Sequence, residues 1–189
     1  MPRTRPAGTP GATELESCVL AIIEQVGPCT RYAVRKYLAE SLSSYWSGSA
    51  GAIYPILQRF TVREWVEVVE EPFGSRRKRI FKLTSLGREQ LRSWLSAPVP
   101  LEAVAHTFDP LRARVFFLDM VERKEQLAFL DDSIAKTVEM IERHREERED
   151  LRPSLSTWEL HGREGALREL AARVEWLREV REGLAKEPA

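Results

Sequence analysis

The chain has 189 residues, 43% apolar and 31% charged, with no net charge, a composition suited to a soluble globular protein of one large domain or two small ones. No apolar run approaches the ~18 to 20 residues of a membrane span. Nothing apolar follows Arg3 and Arg5 to make a secretory signal, so a cytoplasmic protein without membrane contact is expected. Two cysteines (Cys18, Cys29) and three scattered histidines (His106, His144, His161) exclude a disulfide framework and a zinc set, leaving two reduced thiols and no metal.

In chain order, residues 1–12 are rich in Pro, Gly and Thr, lack apolar periodicity, and are expected to form a disordered arm. Thr13 followed by Glu16 has the spacing of a capping box, and Leu15, Val19, Ile22, Ile23 and Val26 then hold one face of a first helix to a core. Gly27-Pro28 ends it. Thr30 caps a second helix whose buried face is Ala33, Val34, Tyr37 and Leu38 and which ends in the polar stretch 41–44. A third helix follows Gly48 and Ser49, with Ile53, Ile56, Leu57 and Phe60 at helical spacing and Pro55 in its first turns, where a missing N–H costs little.

The period then changes. Trp65–Glu71 and Lys78–Leu83 are rich in β-branched and aromatic residues and flank the turn-forming interval 72–77, which predicts a hairpin. Thr84 caps a fourth helix bearing Leu86, Leu91, Trp94 and Leu95, before Pro98 and Pro100 break the chain. This order predicts a mainly α fold with a small β-hairpin: a winged helix-turn-helix domain over 13–100 and a helical dimerisation domain over 101–189. An ordinary small α+β domain has the same element order.

In the second half, Asp109-Pro110 is an N-cap with proline at the first helical position, opening a helix with Leu111, Val115, Phe116 and Leu118 inside. Two long helices follow, one over 124–151 and one after Pro153. Their narrow apolar seams, Leu127, Leu130, Ile134, Val138 and Ile141 and then Leu167, Leu170, Val174, Leu177 and Leu184, recur at steps of three and four. Such seams serve contact between two copies, the expected role, or pairing within one chain.

The zero net charge conceals a division. Residues 1–101 hold 14 Lys and Arg against 9 acidic residues, and 102–189 hold 15 against 20. A basic front half suits a polyanion. In a helix-turn-helix the third helix enters the major groove, where Ser47, Ser49, Gly51 and Ala52 are small enough for close approach. Tyr54 points away from the apolar stripe, leaving its hydroxyl for the DNA backbone. Arg76, Arg77, Lys78 and Arg79 follow a Gly74-Ser75 tip. Four successive cations there repel one another unless a phosphate chain lies beneath them. The third helix is read as poor in Arg, Asn and Gln, so the operator is not legible.

Gly48-Ser49-Ala50-Gly51-Ala52-Ile53-Tyr54-Pro55-Ile56-Leu57 resembles the third-helix signature of PadR-like transcription regulators. The run from Gly74-Ser75-Arg76-Arg77-Lys78-Arg79 to Thr84-Ser85-Leu86-Gly87 resembles that family's wing and the joint after it. The resemblance is close over about residues 14–97 and looser beyond. It implies a homodimeric DNA-binding regulator, often a repressor, in which an effector changes the spacing of the winged domains. Two positions depart from the pattern: Arg31 stands before Tyr32, and Glu64 before Trp65, where the family usually has glycine. The first adds a cation on the DNA side. The second removes the residue best suited to a left-handed cap, so the third helix is expected to run longer or end differently.

Phe108, Phe116, Phe117 and Trp158 are candidates for an inter-subunit pocket that takes a small-molecule effector, although periodic helical aromatics also form cores. No paired nucleophile and base and no phosphate-cradling glycine loop is evident, so neither an enzyme nor a cofactor is expected. The competing class is a winged-helix protein-interaction module that does not bind DNA.

Overall fold

The computed structural model describes residues 11–40, 51–74, 76–99, 101–104 and 109–186. The chain separates into two compact units, Met1–Pro100 and Leu101–Ala189.

The first unit runs α1 (Glu14–Val26), β1 (Cys29–Thr30), α2 (Arg31–Ala39), α3 (Ile53–Val62), β2 (Val66–Phe73), β3 (Arg76–Leu83) and α4 (Ser85–Leu95). Threonines open three of its helices: Thr13, Thr30 and Thr84 each accept a backbone N–H three residues on, supplying a partner that the first helical turn lacks. At α1 the box is complete, because Glu16 accepts from the Thr13 amide at 2.9 Å. Val19, Leu20, Ile23, Val34, Ile53, Leu57, Phe60 and Leu83 close one core with almost no solvent contact. Burying each such side chain is worth about 1.5–3 kcal/mol, and this fixes the three helices to the sheet.

Four sequence expectations need correction here. Val26, expected on the core face of α1, is exposed, since it falls off the buried stripe of that helix. The hairpin strands extend further than their β-branched residues, with Pro72 paired to Arg77 and Phe73 to Arg76. A third strand, β1, pairs Cys29 with Phe81 and Thr30 with Ile80, giving the antiparallel order β1-β3-β2. Two residues are too few for a periodicity to reveal. Finally, α3 does not run on past Glu64. It ends in a Schellman motif: Trp65 N–H bonds to Phe60 O, Glu64 N–H to Thr61 O, and the Phe60 and Trp65 rings meet at 5.5 Å. Glu64 takes the left-handed conformation itself, with φ 56°.

The joint between sheet and α4 depends on a close approach. A side chain at Gly87 would begin 2.1 Å from the Trp65 carbonyl oxygen. That oxygen accepts from Thr84 N–H, while the Thr84 hydroxyl donates to Glu64 O. The end of α3, the start of β2 and the start of α4 are thereby fastened in one place.

The second unit holds α5 (Leu101–Val104), α6 (Pro110–Val115), a 3₁₀ turn (Leu118–Met120), α7 (Arg123–Leu151), a second 3₁₀ turn (Arg152–Ser154) and α8 (Thr157–Lys186). Asp109 caps α6 by accepting from Leu111 and Arg112 N–H and also receives Arg173 of α8 at 2.8 Å. The expected core face of α6 is not one: no residue of that helix is fully buried, and Phe116 is 75% exposed.

The two long helices pack antiparallel on each other. Ile141, Leu167 and Val174 form the centre with Ile134, Val138 and Leu170 against them, and Leu130 and Leu177 are wholly buried. Polar clasps fasten both ends: Arg148 to Glu164 at 2.7 Å, Arg181 to Asp131, and Arg123 to the Leu184 carbonyl. The seams assigned from sequence to contact between copies therefore meet within one chain. Sequence reading also missed three polar members of the buried stripe, Ser133, Thr137 and His144. Thr137 satisfies its hydroxyl on the Ser133 carbonyl at 2.7 Å, so a short polar residue can occupy the seam.

Candidate nucleic-acid interface

The site is built from the outer ends of α2 and α3 and from the β2–β3 hairpin. Arg31 stands in the first turn of α2, which contains no acidic residue. A cation at that end opposes the helix dipole, and the free N–H groups there already attract anions, so Arg31 is placed against stability and in favour of binding negative charge. Its guanidinium lies 5.5 Å from the centre of the Tyr54 ring, joining the start of α2 to the start of α3. Tyr54 is 47% exposed. Its hydroxyl is not free, because it accepts from Gln58 Nε2 at 2.9 Å one turn later. Gly51 precedes α3 and is exposed, and among the described residues nothing lies within 4 Å of where its side chain would begin. Ser47, Ser49 and Ser75 lie outside the described residues.

Gln58 and Arg59 were missed when α3 was read as poor in Arg, Asn and Gln; both are exposed on its outer face. Their position four and five residues after Tyr54 was the available signal. Arg59 is tethered, since its Nε donates to Glu16 Oε1 at 2.8 Å, and Arg63 approaches the other oxygen at 4.0 Å while stacking 4.8 Å above Trp65. Burial raises the Glu16 pKa, but the Thr13 amide, Arg59 and Arg63 outweigh it and hold the carboxyl below its ordinary value. Glu16 is thus both the cap of α1 and the anchor of the last turns of α3.

In the hairpin, Gly74 turns with φ 60°, the left-handed region that glycine favours. The expectation of four mutually repelling cations is corrected by the opposite strand. Arg77 pairs with Glu70, Lys78 with Glu71 and Lys82 with Glu67, each at 3.0 Å. Arg79 lies 5.6 Å over the Phe81 ring and forms no ion pair with a carboxylate among the described residues. All three pairs are solvent-exposed and are therefore worth little, about 0–1 kcal/mol each.

Of the effector candidates, Phe116, Phe117 and Trp158 are 75%, 61% and 84% exposed, with the Trp158 and His161 rings 5.9 Å apart, and Phe108 lies outside the described residues. Cys18 and Cys29 are free, and burial raises both thiols, with Glu14 adding to the effect at Cys18. No helix among the described residues is long and apolar enough to cross a membrane.

Residues 19–93, the span from α1 to α4, match the transcriptional regulator PadR-like family. Over that span the chain is similar to PadR-like transcriptional regulators. A negative transcriptional regulator, PadR of Bacillus subtilis, is 24% identical over 123 residues, which is 65% of this chain and 66% of that one. The crystal structure of Bacillus subtilis PadR in complex with operator DNA superposes with a TM-score of 0.81 at 21% identity, covering 91% of this chain and 99% of that one. The structure of the same protein in complex with p-coumaric acid gives 0.76 at 21% identity, over 91% and 99%. The likeness in fold therefore extends through the helical unit. These relatives are regulators, not enzymes.

Proposed function

We propose that this chain binds double-stranded DNA as a homodimer, represses transcription, and releases its operator when a small effector binds. In this reading α3 enters the major groove by its Gly51–Tyr54 end, and Gln58 lies on the face turned to the bases. Arg31, Arg77, Lys78 and Arg79 take phosphates, contacts that give affinity without reading sequence. The observation that carries the proposal is Arg31 stacked on Tyr54 at 5.5 Å. A cation at the positive end of one helix against an aromatic hydroxyl at the start of another suits a phosphate chain crossing a helix-turn-helix.

Because α7 and α8 bury their seams on each other, contact between copies falls to what they leave exposed, including Phe116, Phe117, Met120 and Trp158. Repression and effector release are supported by the Bacillus subtilis relative, a negative regulator whose structures include operator DNA and p-coumaric acid. The test is recovery of duplexes bound by the full chain from a random pool. A pair of like half-sites about one helical turn apart is expected; a pool that returns without enrichment refutes the reading.

A further inference from the structure

The wing carries opposite charges on its two strands. Strand β3 and its flank offer Arg76, Arg77, Lys78, Arg79 and Lys82, whereas β2 offers Glu67, Glu70 and Glu71, so the cations exceed the carboxylates by only two. Register turns this mixture into pairs: Glu71 lies opposite Lys78 and Glu67 opposite Lys82, while Glu70 reaches Arg77 on the same face. Every glutamate of β2 is thus committed to a wing cation at 3.0 Å. Directly opposed charges of this kind stabilise a sheet only slightly, and an exposed pair in water is readily exchanged for another partner.

From this arrangement we infer that Glu67, Glu70 and Glu71 set the affinity of the wing for DNA: they neutralise Arg77, Lys78 and Lys82 in the free protein and must be displaced by phosphate before these three can grip. The inference rests on the DNA-binding reading above. Because phosphates carry no sequence information, the three carboxylates weaken binding to every duplex alike. They thereby keep the protein off DNA that α3 does not fit, and only a site with enough contacts at α3 recovers the lost wing energy. The competition is electrostatic and surface-exposed, so salt screens it.

The experiment compares the wild-type full chain, E67Q/E70Q/E71Q, and the charge-matched control E24Q/E40Q/E89Q, whose glutamates are exposed but lie outside the hairpin. Binding to a recovered operator and to a random duplex is followed by fluorescence anisotropy at several salt concentrations. Glutamine keeps the shape and hydrogen-bonding capacity of each wing position, and a melting curve checks that the hairpin persists. The wing variant is expected to bind both duplexes about tenfold more tightly at low salt, with the operator-to-random ratio unchanged and the gain shrinking as salt rises. The control is expected to stay within about twofold of wild type. An equal gain in both variants, or no gain in the wing variant, overturns the inference. Failure of the wild type itself to bind any duplex at low salt refutes the DNA-binding reading instead. Should the triple variant unfold, E71Q removes the Lys78 pair alone, and a gain of about twofold is expected, with no gain counting against the inference.

Discussion

Substituting alanine at Gly87 tests how α3, β2 and α4 are fastened together. A Cβ there would stand 2.1 Å from Trp65 O and 3.0 Å from Trp65 C, where an ordinary carbon–oxygen contact is ~3.3 Å. Something must therefore move by roughly 1.2 Å, and the obstacle is backbone rather than a pliable side chain. Relief means separating α4 from β2, which strains or breaks the Thr84–Trp65 backbone hydrogen bond, worth about 0.5–1.5 kcal/mol, and opens the packing around Leu83 and Leu91. Overpacking adds about 1–3 kcal/mol, while the better helix propensity of alanine returns ~1. The net expectation for Gly87→Ala is a loss of about 2 kcal/mol from the winged unit, a fall of roughly 8–16 °C in its melting temperature. Gly165 in α8 is the control, because nothing lies within 4 Å of its missing side chain. Gly165→Ala should stabilise the helical unit by about 0.5–1 kcal/mol. Thermal unfolding of both full-length variants by circular dichroism decides the matter. A Gly87→Ala protein as stable as wild type would refute the account of the joint.

Glu64→Gly should stabilise the winged unit by about 0.5–1 kcal/mol in urea unfolding, since glycine relieves the left-handed backbone at the Schellman position at a smaller entropic cost. Acid should weaken that unit partly through Glu16. Its carboxyl is held below its ordinary value of 4.5, so its contribution is present above pH 4.5 and is lost as pH falls through the lower folded value. Urea unfolding across that range should show a flatter pH dependence for Glu16→Gln than for wild type. Arg31→Ala should leave the melting temperature unchanged or slightly raised while weakening duplex binding, because a cation in the first turn of α2 opposes the helix dipole. A clear loss of stability with unchanged binding would assign Arg31 to the fold instead.

The features legible in the sequence were those with short-range signatures. Thr13, Thr30, Thr84 and Asp109 cap helices because side chain and partner amide lie within three residues of each other. The hairpin and the long helices follow from their periods. What was not legible depends on residues far apart. Nothing local to Glu16 announces that Arg59, 43 positions later, will bond to it, nor does Asp109 announce Arg173. A stripe of Leu130, Ile141, Leu167 and Val174 specifies burial but not its partner, so seams that close a hairpin within one chain look the same as seams between two copies. The wing was misjudged for a related reason: its cations were counted along β3, while the glutamates that pair with them lie across the sheet on β2. At Glu64 the identity of the residue suggested an altered helix end, yet the Phe60–Trp65 contact and the Thr84 bond held the same left-handed turn around a glutamate.

The most direct measurement is the affinity of the full chain for a labelled duplex as salt is raised, for wild type and for Arg77→Glu/Arg79→Glu. If α3 and the wing hold one duplex through its phosphates, the logarithm of the wild-type affinity falls linearly and steeply with the logarithm of salt concentration, by about 0.9 for each phosphate neutralised. The reversed variant should then bind neither operator nor random duplex at moderate salt while melting as wild type does. Wild-type affinity that is indifferent to salt, or a reversed variant that binds as well as wild type, would contradict the claim.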